Sequence, residues 1–221
     1  TDTIGIISIN KSEDKIKLVM IPRDMLVEYN DGIIDFLKKN DLYYEPGVLK
    51  INYTYFLGVR LKYEGKFSNS RGMSFLAEIL EEKFNIEIHD YVKVNTEGFV
   101  KIVDLFGGVD VNVPYHMQYE DPSQDLYIYI EEGPQHLDGK GAEGFVRHRQ
   151  GYDLEGNWHE YGDIQRKRNQ ISLTKAFFEQ HITLASIPKL PEFLVTLGGS
   201  VRTSINAKDI IGKYIGIGYD M

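Results

Sequence analysis

Five cationic side chains fall within residues 145–170, namely Arg147, Arg149, Arg166, Lys167 and Arg168, in a chain of formal net charge −8. A guanidinium is a planar, permanently charged fork that meets phosphate oxygens two at a time. Arg147 and Arg149 stand in Arg-x-Arg spacing, and the other three open a predicted helix. That makeup suits the holding of an anion with more than one charge. Ordinary ion pairing with Asp153, Glu155, Glu160 and Asp163 explains the same residues, as it does for most charged runs. Residues 145–170 alone leave both readings open.

The helix expected over residues 163–181 positions part of this group. Arg166, Gln170, Leu173 and Phe177 are spaced four, three and four apart, so they share one face. Asp163 stands where a helix cap would. The positive end of the helix dipole adds to Arg166 in attracting an anion. A polar helix start with an apolar face behind it suits an amphipathic, phospholipid-like ligand; it equally describes a helix whose Leu173 and Phe177 are core.

A second group is expected at a sheet rim. Residues 3–9 form a near-continuous apolar run, as in a strand buried on both faces. Residues 15–21 alternate lysine with apolar residues and pair with the first strand as a hairpin. Asp2 opens strand one, and Arg23 and Asp24 close strand two, so the three should cluster.

Between these groups, residues 28–44 read as a short helix inside a long loop, followed by the aromatic piece 53–57. Residues 73–84 carry the stripe Leu76, Ile79, Leu80 and Lys83 or Phe84 of an amphipathic helix. Residues 91–94 read as a strand, Thr96 caps a helix ending near Phe106, and residues 109–113 are a strand. This order predicts a parallel crossover and an α/β layered fold. A strand is expected over 126–130, a turn at Gly133-Pro134, a short helix ending near Phe145, and short helices over 189–197 and 206–214.

Length and composition bound the chemistry. The chain has 221 residues, 42% apolar and 26% charged, with 15 tyrosines, 11 phenylalanines and no cysteine. Disulfides and thiolate metal sites are therefore excluded. An isoelectric point near 5.3 argues against nucleic-acid binding, which needs a basic face. No apolar run reaches the roughly 18 residues needed to span a bilayer. The start at Thr1, without an initiator Met, reads as a fragment whose N-terminal segment is missing. Walker, dinucleotide-binding and nucleophile-elbow motifs are absent, and the histidines form no His-x-x-x-His pair. Carboxylates with arginines favour a magnesium–phosphate site.

Several pieces, in order, resemble the LytR-CpsA-Psr family of bacterial cell envelopes. They are Asp2-Thr3, Ile21-Pro22-Arg23-Asp24, Lys50-Ile51-Asn52, Val94-Asn95-x-x-Gly98-Phe99, Leu105-Phe106-Gly107-Gly108-Val109 and Val111-Asn112-Val113-Pro114. Leu137-x-Gly139, Val146-Arg147-His148-Arg149 and Asp163-x-x-Arg166 with Gln170 complete the set. The resemblance covers nearly the whole chain as a single domain. It implies an α/β fold, a central mixed sheet covered by helices on both faces, and an apolar lipid cavity. The implied activity moves a glycopolymer from a polyprenyl-pyrophosphate carrier to peptidoglycan as a phosphodiester, with a non-catalytic binder or sensor of such lipids as the alternative.

Carried across by position, Arg23, Arg147, Arg149, Arg166 and Gln170 hold the pyrophosphate. Asp163, Arg147 and Arg166 are catalytic, with Asp163 the base toward the attacking hydroxyl. Asp2 binds Mg2+ together with an acidic residue expected upstream of Thr1. The implied setting is extracytoplasmic, with an anchor to the cell membrane and no nucleic-acid partner. Departures from the family pattern are Asn169 where arginine is common, Gly58-Val59 for a glycine pair, and Glu143-Gly144 where Ala-Leu-type residues are common. Residues 28–47 and 150–161 form longer connections than usual, and the second, containing Trp158, reads as a mobile flap.

Overall fold

Alternating lysine and apolar residues make Lys15–Ile21 (β2) a one-faced strand, and it pairs antiparallel with Ile4–Asn10 (β1), Ile4 opposite Ile21 and Asn10 opposite Lys15. The computed structural model describes residues 3–10, 13, 15–43, 48–181 and 197–205. The chain divides into two units, Thr1–Tyr91 and Val92–Met221.

In the first unit, β1 was expected to be buried on both faces. Instead Ile7 is 53% exposed, because among the described residues β1 pairs only with β2, and one face of this two-stranded ladder stays open. Asp31–Lys39 (α1) is the short helix expected between residues 28 and 44, and the Asn30 side chain accepts from Ile33 N to cap it. Ile51–Arg60 (α2) turns the aromatic piece into a helix. Arg71–Phe84 (α3) is capped by Ser70. Helices α2 and α3 pack through glycines: a Cβ on Gly58 would lie 2.6 Å from Phe75 Cβ, and one on Gly72 2.5 Å from Tyr55 O. Leu37, Ile51, Leu57 and Phe75 centre this core.

In the second unit, Val92–Val94 (β3), Thr96–Leu105 (α4) and Val109–Val113 (β4) follow the expected order. The cap of α4 is Asn95 rather than Thr96. The parallel crossover is not formed. β3 pairs antiparallel with Val201–Thr203 (β10), and β4 pairs antiparallel with Gly133–Leu137 (β7). Gly133-Pro134, expected as a turn, therefore begins a strand, with Pro134 opposite Asn112; proline is tolerated at a sheet edge. Met117–Asp121 (β5), Leu126–Ile130 (β6), Gln150–Tyr152 (β8) and Trp158–Glu160 (β9) form a sheet in the order β6-β5-β8-β9. The α/β class holds, with the strands distributed over several antiparallel sheets.

Gly139–Arg147 (α5) and Gly162–His181 (α6) cover these strands, with α5 packed on α4, α6 and β6, and α6 along β4. Strict alternation sends Val109, Val111 and Val113 of β4 and Leu126, Ile128 and Ile130 of β6 inward to meet Met117, Phe145 and Leu173. The far end of α6 is tied to β4 by Gln180, which donates to Asp110 O at 2.8 Å and accepts from Asp110 N at 2.9 Å. The helices expected over 189–197 and 206–214 fall almost wholly outside the described residues.

Candidate anion site

The cationic stretch is organised by the turn from β9 into α6. Gly162 adopts φ +73°, a left-handed conformation that costs glycine little. Tyr161 N and Gly162 N then both donate to Arg149 O, at 2.8 and 2.9 Å. This closure places Asp163, in the first turn of α6 rather than at its cap, against Arg149. Asp163 Oδ1 accepts from Arg149 Nη2 at 2.9 Å and from Arg166 Nη2 at 2.5 Å, while Lys167 Nζ lies 3.1 Å from Oδ2. Three cations thus converge on one carboxylate. Partial burial pushes the Asp163 carboxyl up, but the Lys167 hydrogen bond, the Arg166 and Lys167 charges and the Arg149 hydrogen bond together hold it below the usual carboxylate range.

The cluster retains unused capacity for an anion. The Arg166 side chain is 17% exposed, and its Nε is buried with no hydrogen-bond partner. A buried, charge-bearing donor without an acceptor is costly, on the order of 1–3 kcal/mol. Three positive charges against one negative leave the local balance positive. An incoming phosphate oxygen would answer both.

Gln170 and Arg147 are placed differently from Arg149 and Arg166. Gln170 Nε2 donates to Val146 O at 3.2 Å, and the buried Asn169 donates to Phe145 O at 3.4 Å. The two amides satisfy carbonyls that the end of α5 leaves open, so they brace the segment that leads to Arg149. Arg147 Nη1 donates to Glu143 Oε1 at 2.7 Å and Nη2 to Gln124 Oε1 at 2.6 Å, away from Asp163. Arg168 is exposed. Arg23 belongs to the first unit, where Asn52 N donates to its carbonyl at 3.2 Å; its neighbour Asp24 pairs with Lys50 at 3.0 Å. Asp2 lies outside the described residues.

Residues 150–161, expected as a flap, form a hairpin. Asp153 collects Asn157 N at 2.7 Å, Asn157 Nδ2 at 3.0 Å and His159 Nε2 at 2.7 Å, which fixes the turn between β8 and β9. The hydrogen bond from His159, with those from Asn157, holds the Asp153 carboxyl far below its ordinary range. Asp153 therefore serves the turn, not the arginines. Gly151 lets β8 run close to β5: a Cβ there would lie 2.2 Å from Gln118 O. We expect Gly151→Ala to push the hairpin off β5 and cost about 1–3 kcal/mol. A urea midpoint equal to that of the parent would refute the close approach.

Sequence reasoning missed a buried aromatic group behind Arg149. His148 is 1% exposed, and its ring lies 5.7 Å from Tyr115 and 5.4 Å from Tyr161. Tyr115 and Tyr161 stack at 3.8 Å. Burial, with the nearby charge of His116, lowers the His148 pKa to about 4. The available signal was position: His148 is the C-cap residue of α5, where the helical path ends between the two arginines.

With this geometry in hand, the comparisons are decisive for kinship. A model of the LytR_cpsA_psr family matches residues 1–217. The chain belongs to the LytR-CpsA-Psr family. Among curated relatives it is 30% identical over 206 residues to the polyisoprenyl-teichoic acid–peptidoglycan teichoic acid transferase TagU of Oceanobacillus iheyensis, covering 93% of this chain and 54% of that one. It is 23% identical over 206 residues to the Bacillus subtilis transferase TagV, covering 93% and 45%. The chain thus spans about half the length of these relatives. The crystal structure of B. subtilis TagV matches with a TM-score of 0.63 at 22% identity, over 99% of this chain and 72% of that one. Another structure, TagT bound to LI-WTA, matches with a TM-score of 0.58 at 21% identity, over 98% and 68%. At such identities the structural likeness speaks for the fold alone.

Within this LytR-CpsA-Psr chain, Glu143 explains the orientation of Arg147. Glu143 is 5% exposed, and a buried carboxylate needs a cation. Arg147 and Lys140, at 2.7 and 3.1 Å, supply it. Among the described residues no group of three acidic or histidine side chains could hold a metal ion. No helix among them is long and apolar enough to cross a membrane.

Proposed function

We propose that this chain transfers a glycopolymer from a polyprenyl-pyrophosphate lipid to peptidoglycan. The observation that carries the proposal is the convergence of Arg149, Arg166 and Lys167 on Asp163, with Arg166 Nε buried and unanswered. The names of the TagU and TagV relatives, which specify polyisoprenyl-teichoic acid and peptidoglycan, support the same reading.

In the proposed reaction an acceptor hydroxyl oxygen attacks the phosphorus bearing the glycan. A new P–O bond forms, the bridging P–O bond breaks, and polyprenyl phosphate leaves. Arg149 and Arg166 hold the pyrophosphate oxygens and stabilise the charge that develops on them. Arg147 joins them by turning from Glu143, which Lys140 continues to neutralise. Gln170 acts by bracing the end of α5. Asp163 is a weak base while three cations surround it. As the pyrophosphate draws Arg149 and Arg166 away, its proton affinity rises and it can accept the hydroxyl proton.

The prenyl chain is assigned to an apolar cavity, and the protein to the extracytoplasmic face of the cell membrane through an anchor. Asp2 would help hold magnesium, which would offset phosphate charge. The described residues do not by themselves make up its ligand set. Removal of magnesium with EDTA is expected to abolish transfer by the purified protein, with magnesium restoring it. Full turnover in EDTA would eliminate the metal from the scheme.

One observation favours a second reading, a carrier or sensor that binds the lipid without reaction: the Asp163 carboxyl is held low, which suits a brace more than a base. An assay with lipid-linked glycan and peptidoglycan separates the two. Transferase activity releases polyprenyl phosphate in step with glycan attachment, whereas a carrier shows saturable binding and no release.

A further inference from the structure

The sheet β6-β5-β8-β9 presents an aromatic outer face. Tyr127 and Tyr129 on β6 are 61% and 65% exposed, while their neighbours Leu126, Ile128 and Ile130 fill the core. Cross-strand partners share a face, and the register sets Tyr129 opposite Gln118, Gln118 opposite Tyr152, and Tyr152 opposite Trp158. One row of four side chains therefore crosses the sheet, spanning about 14 Å at ordinary strand spacing. Tyr127 and Glu120 begin a second row beside it. Tyr152 and Trp158 meet edge to face at 4.9 Å, and both remain about half exposed.

Exposed rings of this number and alignment ask for a flat, partly apolar partner. The charge on the same surface decides which. The outer rows carry Glu120 and Glu160, the four strands contain no lysine or arginine, and the β8–β9 turn adds Glu155. Such a face repels polyanions, including nucleic acid and phosphate-rich polymers, and lacks the cations that hold anionic lipid surfaces. An uncharged sugar chain fits. Its C–H faces lie on the rings, while its hydroxyl and amide groups meet the tyrosine hydroxyls, the Gln118 amide and the Glu120 carboxylate.

The chain path ties this face to the anion site. Tyr152 lies three residues beyond Arg149 and Trp158 five before Asp163, and the hairpin between them is closed at Arg149 O. We propose that the outer face of β6-β5-β8-β9 binds an uncharged N-acetylated glycan, the acceptor strand of the transfer proposed above. The role as acceptor site rests on that reading; glycan binding does not.

Trp158 is the only tryptophan of the chain, so its fluorescence reports on the face directly. Titration of the purified chain with chitohexaose is expected to give a saturable change. Tyr129→Ala and Tyr152→Ala should each weaken binding roughly five- to tenfold, the loss of one ring contact, with melting curves showing that both variants are folded. Tyr129→Phe should retain most of the affinity. Absence of a saturable change, or parental affinity in both alanine variants, overturns the proposal. So does a Trp158 response elicited instead by phosphatidylglycerol vesicles, by polyglycerol phosphate or by self-association in sedimentation. Pyrophosphate binding measured in parallel by calorimetry reads the cation cluster. Glycan binding without pyrophosphate binding removes the transferase reading and leaves the glycan face standing; the converse removes the glycan face alone.

Discussion

Arg166→Ala is expected to lower the proposed transfer of a lipid-linked glycan by roughly 10²–10³-fold, the cost of losing one preorganised donor to a developing charge. Arg166 carries this weight for two reasons. Its guanidinium is the most buried of the cations around Asp163, so solvent screens it least. Its Nε is already desolvated without a partner, so its bond to a phosphate oxygen is not offset by the loss of an existing one. Arg166→Lys keeps the charge and loses the fork, and should recover only part of the rate. Arg149→Ala, at a more exposed position, should cost less. The measurement is initial rate of polyprenyl phosphate release at saturating lipid, beside a melting curve for each variant. Rates within a factor of about three of the parent for Arg166→Ala would sink the assignment, since the term at stake is two orders of magnitude larger.

The second large effect concerns stability in mild acid. His148 is buried with both ring nitrogens unpartnered, and the native state resists its protonation until about pH 4. The unfolded chain takes that proton near pH 6.5. Above pH 6.5 both states are neutral and the difference is silent. As the pH falls from 6.5 toward 4 the unfolded state gains a proton that the native state refuses, so stability is lost through this window. At pH 5 the loss is on the order of 2 kcal/mol, or several degrees in melting temperature for a chain of this size. His148→Phe keeps a ring between Tyr115 and Tyr161 and removes the titration, and should flatten the dependence. His136 acts in the opposite sense, because its hydrogen bond to Asp110 raises its pKa; the difference between parent and variant cancels it. An identical fall in melting temperature from pH 7 to pH 5 in both proteins would exclude His148 as the source.

The helices were largely legible where a short polar residue could cap them. Asn30, Ser70 and Asp138 each accept a hydrogen bond from the first turn of the helix that follows. Helix α2 was hidden, since its tyrosines, Thr54 and Gly58 are indifferent helix formers, and its stability comes from close packing on α3. Strand partners were the least legible part. The order strand, helix, strand at residues 92–113 suggests a parallel crossover, but β10, which pairs with β3, lies more than 100 residues downstream, and no local pattern reports such a partner. At the site, the Arg149–Asp163–Arg166 group follows from residue type and helical spacing. The diversion of Arg147 does not, because it depends on the burial of Glu143, a charged residue in a short, glycine-rich helix. His148 was masked by the two arginines beside it.

The two hydrogen bonds that end on Arg149 O have a consequence for how this protein can vary. They fix the separation of Arg149 from Asp163 at the base of the hairpin, whatever lies between. Closing a loop costs free energy that grows only with the logarithm of its length, so residues between the base bonds can be added, lost or exchanged at little cost to the cation cluster. The hairpin then behaves as an interchangeable attachment: its outer face can be rewritten for a different partner while the cation cluster stays in place.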